Sequence, residues 1–194
     1  MPRPSLKAER RAEILDAYGR CVARHGVEGA TLEKTAEEAG LARALIRHNV
    51  GNKDDLLEAF LDRFLGDASR ATDALFESLP RDDRVTTMID WLFDPQYTDV
   101  QEVSVTNALV TAAIERPDLA ERLQAWTSGF VGSIASELSD AYPDADEDNV
   151  EAVATGIVGI YFNFDAQMPL GGTSRFRQSS ETAARLLVSV LGPG

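Results

Sequence analysis

Apolar residues recur at helical spacing along almost the whole chain, which leaves little room for β-strands. Near the N-terminus, Ile14, Tyr18, Cys21 and Val22 fall at i, i+4, i+7 and i+8 and form one apolar stripe. The strict alternation of apolar and polar residues that marks a half-buried strand is almost absent. The sequence therefore predicts an all-α fold.

Glycine and proline divide the periodic segments into a head of short helices and a series of longer helices. The predicted helices cover residues 7–24, 32–39 and 42–49 of the head, a segment that opens at Asp54, and residues 84–93, 101–115, 118–141, 147–168 and 175–191. We therefore expect a three-helix head over residues 1–53, joined to a larger helical bundle over residues 54–194.

Charge is distributed unevenly between these two parts. The chain carries a formal charge of -13, yet residues 1–53 contain 10 basic and 7 acidic residues, whereas residues 54–194 contain 9 basic and 25 acidic residues. Local charge, rather than the total, decides whether a surface can meet nucleic acid. The acidic total therefore does not exclude DNA as a partner of the mildly basic head.

Composition also limits the setting in which the chain works. No uncharged apolar run approaches the roughly 20 residues that a membrane-spanning helix needs. A single cysteine excludes a disulfide framework within one chain. We expect a cytoplasmic protein without a membrane partner.

Two short helices joined by a glycine turn predict a helix-turn-helix between Thr31 and Lys53. Thr31 is a suitable N-cap for the second helix. Ala36 is small where the second helix must approach the third, and Gly40 supplies the positive φ of the turn. Ile46 is the apolar contact of the third helix.

Four segments in and around this motif make the pattern more specific. They are Ile14-Leu15-Asp16-Ala17, His25-Gly26-Val27-Glu28-Gly29-Ala30-Thr31, Ala36-Glu37-Glu38-Ala39-Gly40-Leu41 and Gly51-Asn52-Lys53-Asp54-Asp55-Leu56-Leu57. Together they resemble the DNA-binding head of the tetracycline-repressor-like (TetR) transcriptional regulators, over about the first quarter of the chain. The resemblance implies a homodimer whose two third helices enter the major groove of an operator, at half-sites about one helical turn apart.

The resemblance also implies a set of DNA-contacting residues: Thr31, Arg43, Ala44, Leu45, Arg47, His48 and Lys53. Arg43, early on the recognition helix, is placed for bidentate contact with a guanine edge, and Leu45 can meet a thymine methyl group. Thr31, Arg47 and His48 are expected at phosphates. Lys53 and the amides that open the fourth helix are expected to hold another phosphate.

Four positions depart from the family pattern. Ala42 stands where Ser or Thr usually caps the recognition helix, and Arg47 stands where Tyr usually contacts a phosphate. Asn49 replaces Tyr or His, and Val50 replaces Phe. Arg47 preserves a hydrogen-bond donor and Val50 preserves an apolar group, so we expect DNA binding to be retained.

Aromatic residues concentrate in segments expected to line the interior of the bundle. Five of them and one carboxylate form the predicted effector site: Trp91, Trp126, Phe130, Tyr161, Phe162 and Asp165. Such a lining suits a hydrophobic or aromatic small molecule, and Asp165, inside an apolar run, could bind a cationic ligand. The alternatives are an ordinary aromatic core and an Asp165 that faces water or caps a neighbouring helix.

The last two predicted helices carry small and apolar residues suited to close helix approach, and the resemblance implies a four-helix dimer interface there. The residues expected at this interface are Val153, Gly156, Ile157, Ile160 and Leu187. The alternative is that they pack within one subunit, because periodicity cannot separate a core face from an interface.

Two other arrangements suggest different chemistry. Cys21 and His25, spaced i, i+4, could form a nucleophile pair or half a metal site, but a core cysteine beside a histidine at a helix end is the simpler interpretation. Asp144, Asp146 and Asp148 imitate the start of a calcium loop without its glycine and final glutamate, and we interpret them as an acidic helix start. We expect no enzyme activity, no metal and no cofactor.

The sequence as a whole predicts a ligand-responsive DNA-binding transcriptional regulator, a repressor that a small hydrophobic molecule releases from a palindromic operator. One alternative is a helical small-molecule-binding module or enzyme whose head no longer binds DNA. Another is a dimeric interaction protein without a ligand cavity.

Overall fold

The computed structural model describes residues 6–171 and 174–192, and the regular structure within these ranges is helical. The nine α-helices of the described residues are α1 (Leu6–Gly29), α2 (Leu32–Ala39), α3 (Arg43–Val50), α4 (Lys53–Ser78), α5 (Arg84–Leu92), α6 (Val100–Ala113), α7 (Pro117–Ala141), α8 (Glu147–Gln167) and α9 (Ser174–Val188). Short 3₁₀ turns at Pro95–Tyr97, Met168–Leu170 and Ser189–Leu191 follow α5, α8 and α9. The predicted all-α class is confirmed.

Helix α1 is the helix whose predicted end differs most from the observed one. The chain leaves helical geometry at Gly26, as predicted, with φ 69° and ψ 171°, but a further turn continues to Gly29. Glycine adopts this positive φ at low cost because it has no Cβ. No helix among the described residues is long and apolar enough to cross a membrane.

The chain forms two compact units, each with its own core. The head unit comprises the described residues up to Ala68 together with Ser104–Ala120, and the bundle unit comprises Ser69–Val103 together with the described residues from Glu121 onward. Helices α4, α6 and α7 each contribute residues to both units. These units are defined by packing, so the functional boundary expected between residues 53 and 54 stays a prediction.

The core of the head unit is centred on the contact between α1 and α4. The rings of Tyr18 and Phe60 pack edge to face with centroids 5.3 Å apart. Gly19 permits this approach, because a Cβ at that position would lie 2.9 Å from Phe60 Cε2. Ile14 and Ile46 are fully buried in the same unit. Burial of each such side chain stabilises the fold by about 1.5–3 kcal/mol.

The bundle unit packs α5, α8 and α9 around an apolar core that includes Met88, Ile157 and Phe164. A part-buried ion pair joins α5 to α7. Arg84 donates from Nε and Nη2 to the two carboxylate oxygens of Glu137, at 2.7 and 2.6 Å. This two-point contact is geometrically specific as well as charge-assisted. It fixes the start of α5, the helix that leads to part of the predicted effector site.

Candidate nucleic-acid interface and effector site

Helix α2 and the turn after it have the geometry that a helix-turn-helix requires. Thr31 adopts an extended conformation, and its hydroxyl oxygen accepts a hydrogen bond from the Lys34 N–H at 3.2 Å. Gly40 is left-handed at φ 64°, and the Leu41 N–H donates to the Ala36 carbonyl at 2.9 Å. The predicted cap and the predicted turn glycine are both confirmed.

Helix α3, the predicted recognition helix, has one buried face and one exposed face. Ile46 is fully buried and Val50 is 6% exposed, so these two side chains hold the helix against the head. Five predicted DNA-contacting residues are exposed on this helix: Arg43, Ala44, Leu45, Arg47 and His48. Two guanidinium groups on a two-turn helix supply the positive charge and the donors that DNA contacts need.

The residues that depart from the family pattern change the contacts at the two ends of α3. Ala42 is the N-cap, with φ −69° and ψ 139°, but alanine has no side-chain oxygen to accept a hydrogen bond from the first turn. The Asn49 amide donates to the Leu45 carbonyl at 2.8 Å, and Arg11 of α1 donates to the Asn49 carbonyl at 3.3 Å. None of these contacts uses the donors on the exposed face of α3.

Arg43 forms an ion pair with Glu33. Its Nη1 lies 2.5 Å from Glu33 Oε1 on α2, and the two side chains are 60% and 59% exposed. An exposed pair of this kind contributes about 0–1 kcal/mol. The pair therefore orients the guanidinium without preventing its transfer to a base.

The start of α4 differs from the phosphate site expected there. The N–H groups of Asp54 and Asp55 donate to Asn52 Oδ1 at 2.8 and 3.0 Å, so a side chain already caps the helix. Lys53 donates to the carboxylate of Glu28 at 2.8 Å and to its carbonyl at 3.1 Å, and this contact lowers the pKa of the Glu28 carboxyl. Phosphate contacts by these amides and by Lys53 both stay predictions, and the amides would have to exchange Asn52 for the phosphate.

Four of the predicted effector aromatics form one group in the bundle unit, which we call the four-ring cluster: Trp126, Phe130, Tyr161 and Phe162. Ring centroids are 5.6 Å apart for Phe130 and Tyr161, and 5.7 Å apart for Trp126 and Phe162. Tyr161 and Phe162 are also 5.7 Å apart. All four side chains keep partial exposure, so they border the core without being sealed inside it.

Asp165 lies beside this cluster without a cationic partner. Its Oδ1 accepts a hydrogen bond from Thr98 Oγ1 at 3.1 Å, and Tyr161, one helical turn earlier, also hydrogen-bonds to it. Burial raises the pKa of the Asp165 carboxyl, and burial together with this carboxylate raises the pKa of the Tyr161 phenol. No lysine, arginine or histidine in the described part of the chain is paired with Asp165.

Thr98 and Tyr97 adjoin these residues but are absent from the sequence prediction. Tyr97 lies 6.2 Å, centroid to centroid, from Trp91, which therefore packs beside the turn after α5 and makes no ring contact with the four-ring cluster. Thr98 is 67 positions from Asp165 in the chain. No local pattern in the sequence connects two residues so far apart.

Two of the five residues expected at a dimer interface, Val153 and Ile157, pack within the subunit instead, and Gly156, Ile160 and Leu187 are part-buried. Val153 and Ile157 are 4% and 0% exposed and belong to the bundle core, so they have no surface left for a partner. A Cβ at Gly156 would lie 2.7 Å from Leu187 Cδ1 of the same chain, which shows that these residues bring α8 and α9 together. Ile160 is half-buried against the same core. The assignment of Val153 and Ile157 to a subunit interface is corrected accordingly.

The other suggested chemistries gain no support from the structure. Cys21 is 2% exposed, and burial raises the pKa of its thiol, whereas His25 is exposed. Asp146 is the N-cap of α8, and its carboxylate accepts hydrogen bonds from the N–H groups of Asp148 and Asn149 at 3.1 and 3.4 Å. The predicted acidic helix start is confirmed.

The head unit contains a cavity of about 740 Å³ that the sequence does not predict. Its lining comes from residues 25–28 at the end of α1 and from side chains between Asn107 and Arg116. The lining includes the apolar side chains of Val27 and Ala112 and the charged side chains of Glu28, Glu115 and Arg116. None of the predicted effector residues lines this cavity.

Exposed arginines on the second helix of a helix-turn-helix are the geometry expected of a DNA-binding head. Residues 14–60 match the sequence profile described as bacterial regulatory proteins, tetR family. The chain therefore carries a DNA-binding head of the TetR type and is a DNA-binding transcriptional regulator.

Relatives of known sequence or structure agree with this assignment. The HTH-type transcriptional regulator BetI of Paraburkholderia phytofirmans is 26% identical over 147 residues, which is 75% of each chain. A TetR transcription regulator from Haloarcula marismortui has the same fold, with a TM-score of 0.75 at 19% identity over 94% of this chain and 97% of its own. The multidrug binding protein EbrR has a TM-score of 0.61 at 24% identity, over 95% of this chain and 96% of its own.

Proposed function

We propose that the chain is a homodimeric repressor that a small hydrophobic molecule releases from a palindromic operator. The observation that carries the proposal is the exposed face of α3, where Arg43 and Arg47 project from a helix anchored by Ile46. Two such faces, one from each subunit, would reach half-sites about one helical turn apart. The protein would act in the cytoplasm, where its operator lies.

The subunits would meet through the exposed faces of α8 and α9. Leu186 and Val190 are 64% and 66% exposed, four residues apart at the end of the chain. On α8, Thr155 and Gly159 are exposed small residues that permit close approach of another helix. These positions flank the α8–α9 contact at Gly156, so the four-helix arrangement is retained with different residues.

The effector would bind at the four-ring cluster. Partly exposed aromatic rings offer a small molecule apolar surface with defined geometry, and the description of EbrR as a multidrug binding protein supports a small-molecule effector. The effector can weaken DNA binding only to the extent that its affinity for the conformation that does not fit the operator exceeds its affinity for the conformation that does. Helix α4, which contributes residues to both units, is the element proposed to shift.

Selection from random DNA duplexes at two salt concentrations tests this function. Purified protein should enrich an inverted repeat, which then serves as the operator for effector screening. A variant that carries both Arg43→Ala and Arg47→Ala is the control and should enrich no sequence. If the wild-type protein enriches none even at low salt, a ligand-binding module without DNA binding replaces the repressor.

A further inference from the structure

The hydroxyl of Tyr18 is the one buried side-chain polar atom that lacks a hydrogen-bond partner among the described residues. The residue is 0% exposed, and its ring packs against Phe60 in the core of the head unit. A buried hydroxyl normally has a partner, because removal from water without a replacement is unfavourable. Burial raises the pKa of the Tyr18 phenol, so the hydroxyl keeps its proton and can donate it to an acceptor.

Arg116 adds unused hydrogen-bond donors at the cavity of the head unit, which it lines. Its guanidinium is 23% exposed and lies 3.7 Å from the Asp54 carboxylate and 3.8 Å from the Asp118 carboxylate. Both distances are longer than a hydrogen bond. The two carboxylates are 77% and 63% exposed, so water screens their charges. A guanidinium has five N–H donors in a planar fork that matches a carboxylate, and this fork is available.

Tyr18 and Arg116 are close in space although they are distant in the chain. Among the charged groups that act on the Tyr18 phenol, Arg116 has the largest effect and lowers the pKa against the greater effect of burial. The cavity has a volume of about 740 Å³, within the range of about 300–1,000 Å³ of small-molecule sites. Four side chains give it apolar surface: Val27, Ala108, Ala112 and Ile114. All of its lining residues belong to the head unit.

The acidic side chains in the lining do not exclude an anion from this cavity. The Glu28 carboxylate accepts a hydrogen bond from Lys53 Nζ at 2.8 Å, which compensates its charge. Glu28 and Glu115 are both exposed, whereas Arg116 is part-buried. Solvent screens exposed charges far more than part-buried ones. The charge that a ligand meets away from water is therefore the positive charge of Arg116.

We propose that the cavity of the head unit is a second ligand site, separate from the proposed effector site, and that its ligand is a small carboxylic acid with an apolar body. The ligand carboxylate pairs with Arg116 and accepts a hydrogen bond from the Tyr18 hydroxyl. The apolar body lies against Val27 and Ala112. A neutral amide offers an acceptor without the charge pair, and an ammonium ion is repelled by Arg116.

Histidine resonances of the full-length protein test this proposal without a variant. The chain has two histidines: His25 lines the cavity, and His48 is exposed on α3. The probe is 3-phenylpropanoate, and its controls are the neutral 3-phenylpropanamide and the cation 3-phenylpropylammonium. At about pH 7.5 the carboxylate should shift the ring resonances of His25 saturably and those of His48 much less. It should bind at least about tenfold more tightly than either control.

Two outcomes of this titration would overturn the proposal. Equal affinity for the carboxylate and the amide would show that Arg116 does not pair with the ligand. Binding that leaves the resonances of His25 unchanged would place the ligand outside the cavity. Because both outcomes are measured on the wild-type protein, the proposal stays testable even if a variant does not fold.

Variants separate the two donors. Arg116→Gln should abolish the preference for the carboxylate over the amide, because only the carboxylate gains from the positive charge. Tyr18→Phe should weaken carboxylate binding at least about threefold and should not lower the melting temperature, since it removes an unpaired buried hydroxyl. Arg81→Gln and Tyr142→Phe make the same changes in the bundle unit and should keep the affinity of the wild type. If Arg116→Gln and Tyr18→Phe also keep it, the proposal is overturned.

This site and the proposed repressor function can fail independently. Phe162→Leu, a change in the four-ring cluster, should leave carboxylate binding unchanged; a loss would move the site to the bundle unit and overturn the proposal. Absence of carboxylate binding removes the second ligand site and leaves the repressor. Failure to enrich an operator removes the repressor, whereas the titration of His25 still measures the site.

Discussion

The residues of α3 that are predicted to contact DNA and the residues that hold this helix in the head are different side chains. Ile46 and Val50 are buried, whereas Arg43 keeps 60% of its side-chain surface and forms only an exposed contact with Glu33. In the predicted complex, Arg43 would exchange this contact for a bidentate pair of hydrogen bonds with a guanine edge. The exposed ion pair with Glu33 therefore leaves the guanidinium able to contact DNA.

Replacing Arg43 by alanine should relax the base preference at one position of each half-site. A bidentate contact with guanine is worth about 1–3 kcal/mol of discrimination against the wrong base. Repeating the DNA selection with Arg43→Ala measures this effect. Arg10→Ala, which removes an exposed arginine paired with Glu13 on α1, is the control. Unchanged base frequencies in Arg43→Ala would show that α3 does not dock as proposed.

Asp165 should make the stability of the protein depend on pH in a defined direction. Burial raises the pKa of its carboxyl in the folded chain, and the groups that face it, Thr98 and Tyr161, are neutral hydroxyls. The unfolded chain ionises this group near pH 3.9. Stability is therefore lost as the pH rises from the unfolded pKa through the raised folded pKa, and the loss is complete above that range.

Asp165→Asn should consequently melt at a higher temperature than the wild type at about pH 7.5, with a difference that shrinks toward about pH 4. Thermal unfolding of both proteins across this range measures the difference. Asp144→Asn, at an exposed position, should show no comparable trend. A less stable Asp165→Asn at neutral pH, or a difference independent of pH, would contradict the cost assigned to the buried charge.

At the scale of elements, the helix-turn-helix could be predicted because local chemistry sets its boundaries. Thr31 caps α2 and Gly40 ends it, and both effects act within a few residues of the chain. By contrast, local sequence does not show which other helix an apolar helix face packs against. Val153 and Ile157 have the same periodicity whether they face their own core or another subunit, and only tertiary packing shows that they are buried.

For the predicted effector site, too, the sequence indicates residues on one helix but not the contacts between distant segments. Tyr161, Phe162 and Asp165 could be predicted together because they stand on one helix. Trp126 and Phe130 could be added from their apolar surroundings, but the sequence could not show that Trp91 contacts Tyr97 instead. The Thr98 contact escaped prediction because it depends on the packing of two distant segments.

Leu186 tests the element proposed for dimerisation. Leu186→Asp should weaken the dimer at least about tenfold, because a charge would be buried in an apolar contact without a partner. Sedimentation equilibrium measures the dissociation constant. Leu170→Asp, at a position that is 77% exposed in the same unit, is the control. If Leu186→Asp and Val190→Asp both dimerise like the wild type, the subunits meet elsewhere.

For the molecule as a whole, the charge distribution favours DNA binding by the head over DNA binding by the bundle. The chain has a net charge of -13, while residues 1–53 carry a net charge of +3. Acidic surface repels the phosphates of flanking DNA, which keeps non-specific affinity low. Specific contacts from a few basic side chains then decide where the protein binds.

Arg47 should contribute to that affinity without regard to base sequence. It is predicted at a phosphate, so Arg47→Ala should weaken binding to the operator and to a scrambled duplex by similar factors. Each phosphate contact adds about 0.9 to the slope of log affinity against log salt concentration, so this slope should fall by about 1. Titrations at several salt concentrations measure it. A change confined to the operator would indicate that Arg47 contacts a base.

The two heads of a dimer should bind two half-sites at a fixed distance from each other. The spacing between the half-sites of the operator tests this most directly. The measurement is the affinity of the wild-type protein for the enriched operator with and without about five base pairs inserted between its half-sites. Such an insertion turns one half-site to the opposite side of the duplex, since about ten base pairs make one turn. We predict that the insertion reduces affinity to that of a scrambled duplex. Undiminished affinity would contradict a dimeric helix-turn-helix regulator.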